Sequence, residues 1–116
     1  MMSKTLKNTL FEIAEYLEGL KGSTLTVKEI ITRTVDSSFD RHLSTTSQLT
    51  LLLENSLWAI SGGRLILLGK HSQSYEICFD LVSTAQFSPP LIILVEQYTP
   101  RFHRHTELKI EKGSPI

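Results

Sequence analysis

The segment Arg101–Glu107 has the residue types and the spacing that most favour chemistry. On a β-strand, His103, His105 and Glu107 would share one face, because alternate side chains of a strand point the same way. Two imidazoles and a carboxylate can bind a divalent metal ion. An exposed basic turn in a terminal hairpin explains the same residues without a ligand. We therefore predict neither a metal nor a cofactor, and keep a small metal-binding protein or enzyme using these three residues as a third hypothesis.

The same segment could instead bind an anion. Arginine and histidine side chains with an aromatic ring among them suit a phosphate backbone or an unstacked base. A solvated loop is the alternative. The residues of this possible anion-binding site are Arg101, His103, Arg104 and His105, with Phe102 between them.

Other residue patterns give catalysis little support. The sequence contains no glycine-rich phosphate loop and no Gly-x-Ser-x-Gly motif. His42 and His71 are isolated in polar surroundings, and Asp36 and Asp40 are explained by solvated helix ends. Cys78 lies in an apolar run, which favours a core or sheet position over a nucleophile. We predict that the protein is not an enzyme.

The composition is that of one ordinary globular domain spanning residues 1–116. The chain has 12 basic and 12 acidic residues and is 41% hydrophobic. Nucleic-acid binders usually have a basic excess, so any DNA contact would need a local positive patch. One cysteine excludes an internal disulfide and a zinc site built on cysteine pairs. Residues Met1–Lys7 lead into an amphipathic pattern rather than an apolar signal core, and no apolar run approaches the roughly 20 residues of a membrane span, so we expect a soluble cytoplasmic protein.

The first half of the chain is predicted to be helical. Apolar residues recur at spacings of three and four between Thr5 and Leu20, and Gly22 is a suitable C-terminal cap. Thr26–Glu29 and Thr45–Gln48 both have the pattern of a capping box, in which a threonine oxygen and a Glu or Gln side chain satisfy backbone amides at a helix start. These patterns predict three short helices before Ser56.

A hairpin is predicted to follow the helices. Leu57–Ile60 and Arg64–Leu68 flank Ser61-Gly62-Gly63, and two glycines in a short loop supply the positive φ that such turns need. The order of elements, with Thr26–Ile30, Leu52–Trp58 and Gly62–Leu67, resembles a winged helix-turn-helix domain over residues 5–70. The turn Asp36–Leu43 is longer than this family usually has.

The winged-helix resemblance implies a small DNA-binding or regulatory protein acting as a homodimer. Helix three would present its first residues to base edges, and two arginines would hold phosphates. Residues 1–70 carry eight basic and seven acidic side chains, so a protein–protein adaptor or inhibitor with no nucleic-acid contact is the alternative. No membrane contact is expected. The DNA-binding residues implied are Arg41, Thr45, Thr46, Ser47, Gln48 and Arg64.

The second half is predicted to be an antiparallel β-meander over residues 71–111, followed by a tail at 112–116. Tyr75–Leu81 alternates apolar and polar residues, Leu91–Val95 is continuously apolar, and Leu108 and Ile110 belong to a last strand. Ser83–Pro90 is predicted to be a loop, because prolines are unsuited to a central strand. The fold class is therefore α+β. The predicted core consists of Leu10, Ile13, Leu17, Ile30, Leu52, Leu53, Leu65, Leu67, Ile77, Phe79, Ile93 and Val95.

Overall fold

The structure is a computed structural model that describes residues 3–36, 41–59 and 63–111. Within these ranges the chain forms one α-helix, α1 (Lys4–Glu18), and seven β-strands. The strands are β1 (Thr24–Asp36), β2 (Arg41–Ala59), β3 (Arg64–Gly69), β4 (Ser74–Cys78), β5 (Val82–Ser88), β6 (Leu91–Thr99) and β7 (Phe102–Ile110). Short 3₁₀ turns at Lys70–Ser72 and Phe79–Leu81 follow β3 and β4.

The seven strands form one antiparallel sheet that curls into a half-barrel. Their order is β4-β3-β2-β1-β7-β6-β5. The strands β4 and β5 stand at opposite ends of this order, yet only the turn Phe79–Leu81 joins them. The two ends of the sheet must therefore approach each other, which gives the sheet its concave face.

Helix α1 packs against the concave face and completes the core. Its N-cap, Ser3, accepts a hydrogen bond from the Leu6 amide at 3.1 Å, and its apolar stripe is buried. The predicted helix is therefore confirmed. It ends at Glu18 with Gly19 as the C-cap, while Gly22, with a φ of 90°, lies in the turn into β1. The buried stripe is Leu10, Ile13, Ala14 and Leu17.

The predicted helices two and three are wrong, because both segments are strands. Thr26–Glu29 lies in β1 and Thr45–Gln48 lies in β2, paired along their length with Lys28 opposite Gln48. The run from Thr24 to Asp36 is rich in β-branched residues, which pack well on a pleated sheet and lose rotamer freedom in a helix. Long-range pairing thus overrides the local capping pattern.

The hairpin between β2 and β3 is confirmed, but the winged-helix resemblance is wrong. Trp58 lies opposite Leu65, and Gly63 has the positive φ, 60°, that the turn was expected to need. Ile60, Ser61 and Gly62 lie outside the described residues. The predicted α+β class with three N-terminal helices is also wrong, because among the described residues one helix and a curled seven-stranded sheet replace three helices and a wing. The hairpin belongs to the half-barrel.

The second half is correctly predicted to be β-rich, but its strand pairing differs. β6 and β7 are adjacent and antiparallel, with Leu94 opposite Thr106. The predicted loop Ser83–Pro90 is instead largely strand β5, and its two prolines lie in the turn before β6. The strand predicted at Tyr75–Leu81 is β4, which pairs with β3 at the other end of the sheet. The tail at 112–116 lies outside the described residues.

Eight of the twelve predicted core residues are buried. The other four lie on the convex face of strands whose concave face is also apolar. In β6, for example, Ile92 and Leu94 are fully buried and Ile93 is not. The four are Ile30, Leu52, Ile93 and Val95. No helix in the described part of the chain is long and apolar enough to cross a membrane.

Candidate functional site

The concave face is apolar where α1 covers it and polar beyond the helix. Side chains alternate along each strand, so one face of β6 carries Ile92, Leu94 and then Glu96. On β7 the same face carries Leu108, Thr106 and then Arg104, each opposite one of those residues. The polar residues at this end form a single connected group.

Glu96 and Arg104 are the centre of this polar cluster. The Glu96 side chain is fully buried, Arg104 donates to its Oε1 through Nε at 2.8 Å, and a terminal nitrogen of the guanidinium lies 2.6 Å from the same oxygen. The backbone amide of Cys78 and the hydroxyl of Tyr98 donate to Oε2 at 2.9 and 2.8 Å. Three donors and the ion pair with Arg104 thus compensate the buried carboxylate, which makes its burial tolerable.

Glu29 and Tyr75 extend the polar cluster across the concave face. Arg104 reaches Glu29 Oε2 at 3.2 Å, and the Tyr75 hydroxyl donates to the same oxygen at 3.0 Å. The Tyr75 hydroxyl also lies 2.8 Å from the Thr106 hydroxyl, and the Arg104 guanidinium lies 5.0 Å from the Tyr75 ring centroid. Because Tyr75 is on β4 while Glu29 is on β1, these contacts span the interior of the half-barrel.

The cluster also joins the two ends of the sheet. Arg104 donates to the backbone carbonyl of Glu76, and Glu96 accepts from the backbone amide of Cys78, so both side chains bond the edge of β4. A closed barrel would pair the end strands β4 and β5, and in this half-barrel the side-chain bonds from β6 and β7 hold the β4 end instead. The polar cluster is therefore a structural bridge, and most of its hydrogen-bonding capacity is already used.

Burial and neighbouring charges shift the pKa values of this group. Burial and the hydrogen bond to Glu96 raise the pKa of Tyr98 to about 12. Burial raises the pKa of Tyr75 still further above its ordinary value. Burial opposes the charge of Arg104, but Tyr75 and Glu96 beside it outweigh that effect and raise the pKa of the guanidinium. Both tyrosines are neutral at pH 7, and counted as formal charges, the side chains of Glu29 and Glu96 against the one guanidinium of Arg104 sum to minus one.

The first part of β2 is an open strand edge. Within the described ranges, residues 41–52 pair only with β1, and pairing with β3 begins at Leu53. The segment Ser44–Thr50 contains no charged residue, and every side chain in it except Leu49 is exposed. We call this segment the β2 edge. Uncharged, exposed edges are unusual, because most proteins protect such edges with charges, prolines or bulges.

The turn after β3 is the reason that this edge stays uncovered. Gly69 lies so close to β2 that a Cβ atom there would come within 2.6 Å of Leu51 Cγ. The chain then turns sharply through His71 and Ser72, both at positive φ, and the Gly69 amide bonds the Gln73 carbonyl at 2.8 Å. β3 therefore leaves β2 at this point, and β4 runs back along β3.

The backbone groups that face the open side can be assigned from the ladder. The Leu53 amide bonds the Ser23 carbonyl, and the Leu53 carbonyl accepts from Gly22, so the backbone polar groups of Leu53 point toward β1. Polar groups of alternate residues point to opposite sides in an antiparallel strand. The backbone amides that face the open side are those of Ser44, Thr46, Gln48 and Thr50.

A cavity lies between the β2 edge and the polar cluster. Its volume is about 260 Å³, and it is lined by Val27, Glu29, Ser47, Gln48, Leu49 and Tyr75. Val27 and Leu49 give it apolar walls, while Glu29 presents a carboxylate whose side chain is 20% exposed. Among the described residues, Glu29 Oε1 has only a long hydrogen bond, 3.4 Å, from the Ser47 hydroxyl. This oxygen therefore retains capacity for another donor.

The residues predicted to bind DNA do not form the expected surface. Thr45, Thr46, Ser47 and Gln48 lie in β2 with side chains on alternating faces, so a helix does not present them together. Arg64 begins β3 and lies 3.1 Å from Glu76, an ion pair on the surface. Arg41 pairs with Asp36 at the end of the β1–β2 ladder, and its side chain lies outside the described part of the structure.

The residues of the possible anion and metal sites are divided between two faces. His103, His105 and Glu107 share the convex face, as the strand pattern predicted, and His105 Nε2 lies 4.0 Å from Glu107 Oε1. No group of three or more metal-ligating side chains occurs among the described residues. Arg104 points to the concave face instead, and Arg101 lies in the exposed turn before β7.

Sequence reasoning missed Glu29, Tyr75, Glu96, Tyr98 and Thr106. Glu96 is the first polar residue after the apolar run Leu91–Val95, yet its side chain is fully buried. The signal was present in the alternation of β6, since Ile92, Leu94 and Glu96 share one face. No comparable signal identifies Tyr75, whose partners come from strands far away in the chain.

Comparison with models of known protein families, with curated proteins and with solved structures gave no match to this chain. The geometry of the β2 edge, the cavity and the polar cluster is therefore the basis for assigning a function.

Proposed function

We propose that this protein is a non-catalytic protein-interaction module that binds an extended segment of a partner protein as an added strand along the β2 edge. The observation that carries this proposal is that, within the described part of the chain, residues 41–52 pair with β1 alone, and that Ser44–Thr50 offers an exposed and uncharged surface there. An extended peptide gains main-chain hydrogen bonds when it joins such an edge. Four residues have backbone groups that face the open side, and each offers one amide and one carbonyl to the added strand. They are Ser44, Thr46, Gln48 and Thr50.

The protein partner replaces DNA as the favoured ligand for a physical reason. The DNA hypothesis depended on a recognition helix, and the corresponding residues lie in a strand. Binding by an added strand needs neither a recognition helix nor a basic excess, and it agrees with the formal net charge of zero. It also agrees with the serine- and threonine-rich composition of the edge, since cross-strand pairs of such residues stabilise a sheet.

A proline variant with a matched control tests the proposal. The Thr46 amide faces the open side, so Thr46→Pro removes an edge donor and obstructs an incoming strand while sparing the ladder to β1. Thr46→Val keeps the amide and suits a strand equally well. Peptides selected from a random displayed library on the wild-type protein are then measured against all three proteins by fluorescence anisotropy.

We expect the selected peptides to bind wild type and Thr46→Val alike, and Thr46→Pro at least about tenfold more weakly. Sedimentation velocity on the same three proteins shows whether a second copy is the partner, in which case Thr46→Pro alone is monomeric. Equal peptide binding and equal sedimentation of all three proteins would overturn the proposal.

A further inference from the structure

The cavity beside the β2 edge carries an inference about what the added strand must contain. We infer that the cavity accepts a lysine side chain of the bound segment, with the ammonium group at Glu29 and the stem against Val27 and Leu49. This inference rests on the proposed strand addition, because the strand brings the side chain to the cavity. Main-chain bonds give such complexes affinity, and pockets for alternate side chains give them specificity.

The position of the cavity fits a side chain from an added strand. Ser47 and Leu49 line the cavity, and both point to the concave face from the strand that offers the open edge. A residue of an added strand opposite either of them would point to the same face, because directly paired residues share a face. Its side chain would then extend over Glu29 toward Tyr75.

The charge balance favours a cation. Glu29 and Glu96 face one guanidinium, that of Arg104, so the formal charge of this largely buried group is minus one. The nearby pair of Arg64 and Glu76 is neutral in sum. An ammonium group at Glu29 would balance the cluster, and charge-assisted hydrogen bonds are stronger than neutral ones.

The shape and chemistry of the walls favour lysine over other cations. Val27 and Leu49 suit an apolar stem, and a volume of about 260 Å³ suits a single unbranched side chain. Glu29 Oε1 is the acceptor with unused capacity, and Ser47 adds a hydroxyl beside it. Lysine combines a four-carbon stem with a compact charge that has three donors.

A double-mutant cycle between the peptide and the protein tests the inference. A selected peptide with lysine at the position facing the cavity is compared with the same peptide carrying norleucine, which keeps the stem and lacks the charge. Each is measured against wild type and Glu29→Gln, with Glu107→Gln as the control carboxylate on the convex face. We expect norleucine to weaken wild-type binding about tenfold and to have little effect on binding to Glu29→Gln.

A further variant covers the case in which Glu29→Gln does not fold. Ser47→Phe fills the cavity from an exposed position and removes the long hydrogen bond from Ser47 to Glu29, but it keeps the contacts of Glu29 with Arg104 and Tyr75. It should therefore remove the preference for lysine over norleucine. If Thr46→Pro weakens peptide binding but neither Glu29→Gln nor Ser47→Phe changes the preference for lysine over norleucine, the lysine inference is overturned. Strand addition would then still stand.

The remaining outcome separates the two proposals in the opposite direction. If Thr46→Pro leaves peptide binding unchanged, strand addition fails, and the cavity is tested alone with n-butylammonium against n-butanol by amide chemical shifts at Ser47 and Tyr75. Shifts caused by the amine, absent with the alcohol and weakened by Glu29→Gln, would keep an alkylammonium site. If the amine causes no such chemical shift changes, the lysine inference is overturned as well.

Discussion

Strand β7 and the β2 edge differ in a way that reverses the usual arrangement of charge in a sheet. β7 is paired on both sides, with β1 and β6, and it carries Arg104, Glu107 and Lys109. The β2 edge is paired on one side and carries no charge. Because charged side chains normally discourage edge pairing, their absence here indicates a surface suited to another strand. The charged residues Arg104 and Glu96 lie instead on interior strands, where their side chains bond the backbone of β4 at one end of the sheet.

The largest expected effect on stability follows from removing the charge of Arg104 in β7. Arg104→Met should destabilise the protein by about 3–5 kcal/mol, because it leaves the buried carboxylate of Glu96 without its ion-pair partner. Arg64→Met is the control, since the ion pair of Arg64 with Glu76 is exposed and should be worth less than about 1 kcal/mol. Urea denaturation measures both changes. Similar small effects for the two variants would contradict the bridging role of Arg104.

The next effect tests which face of β2 is buried. Leu51 is fully buried, and its neighbour Leu52 is half-buried on the convex face. Leu51→Ala should cost about 2–5 kcal/mol, as expected for a buried leucine, and Leu52→Ala distinctly less. Thermal and chemical denaturation of both variants are the measurements. A larger loss of stability for Leu52→Ala than for Leu51→Ala would mean that Leu52, and not Leu51, faces the core beneath α1.

The consecutive leucines of β2 show what the sequence could and could not predict. Helix α1 was predictable, because its period of 3.6 is local and its cap, Ser3, lies next to it. In Leu51-Leu52-Leu53 and Ile92-Ile93-Leu94 both faces are apolar, so alternation could not identify the buried one. The polar cluster needed strand order as well, since Glu29, Tyr75 and Glu96 lie on β1, β4 and β6. The β2 edge is open because β3 ends at Gly69, and the sequence pattern alone does not show where β3 leaves β2.

A smaller effect comes from proline substitutions along β2 itself. Ser47→Pro removes an amide that faces β1, so it should cost at least about 1 kcal/mol for the lost hydrogen bond and the unpaired carbonyl. Thr46→Pro removes an amide that faces the open side and should cost less. Urea denaturation compares the two variants. Equal losses would mean that the Thr46 amide already has a partner, and that the edge is not open.

The smallest effect expected is on the pH dependence of stability. The pKa of Tyr98 is raised to about 12 and that of Tyr75 is raised above its ordinary value, so the folded state retains protons that the unfolded state loses above pH 10. Stability from this source is complete below pH 10 and decreases as the pH rises from 10 through about 12. Absorbance at the tyrosinate band and urea denaturation across this range measure the effect. Tyr98→Phe should make the loss of stability between pH 10 and about 12 smaller, because one of the two tyrosine hydroxyls is removed.

Amide hydrogen exchange, residue by residue, tests the contrast between β7 and the β2 edge most directly. For β7 we expect slow exchange at residues 103–109, since each amide bonds either β1 or β6. For the β2 edge we expect alternation, with fast exchange at Ser44, Thr46, Gln48 and Thr50 and slow exchange at the residues between them. A bound peptide should slow those four amides specifically. Uniformly slow exchange along residues 44–50 in the monomeric free protein would contradict the open edge, and with it the function proposed for this fold.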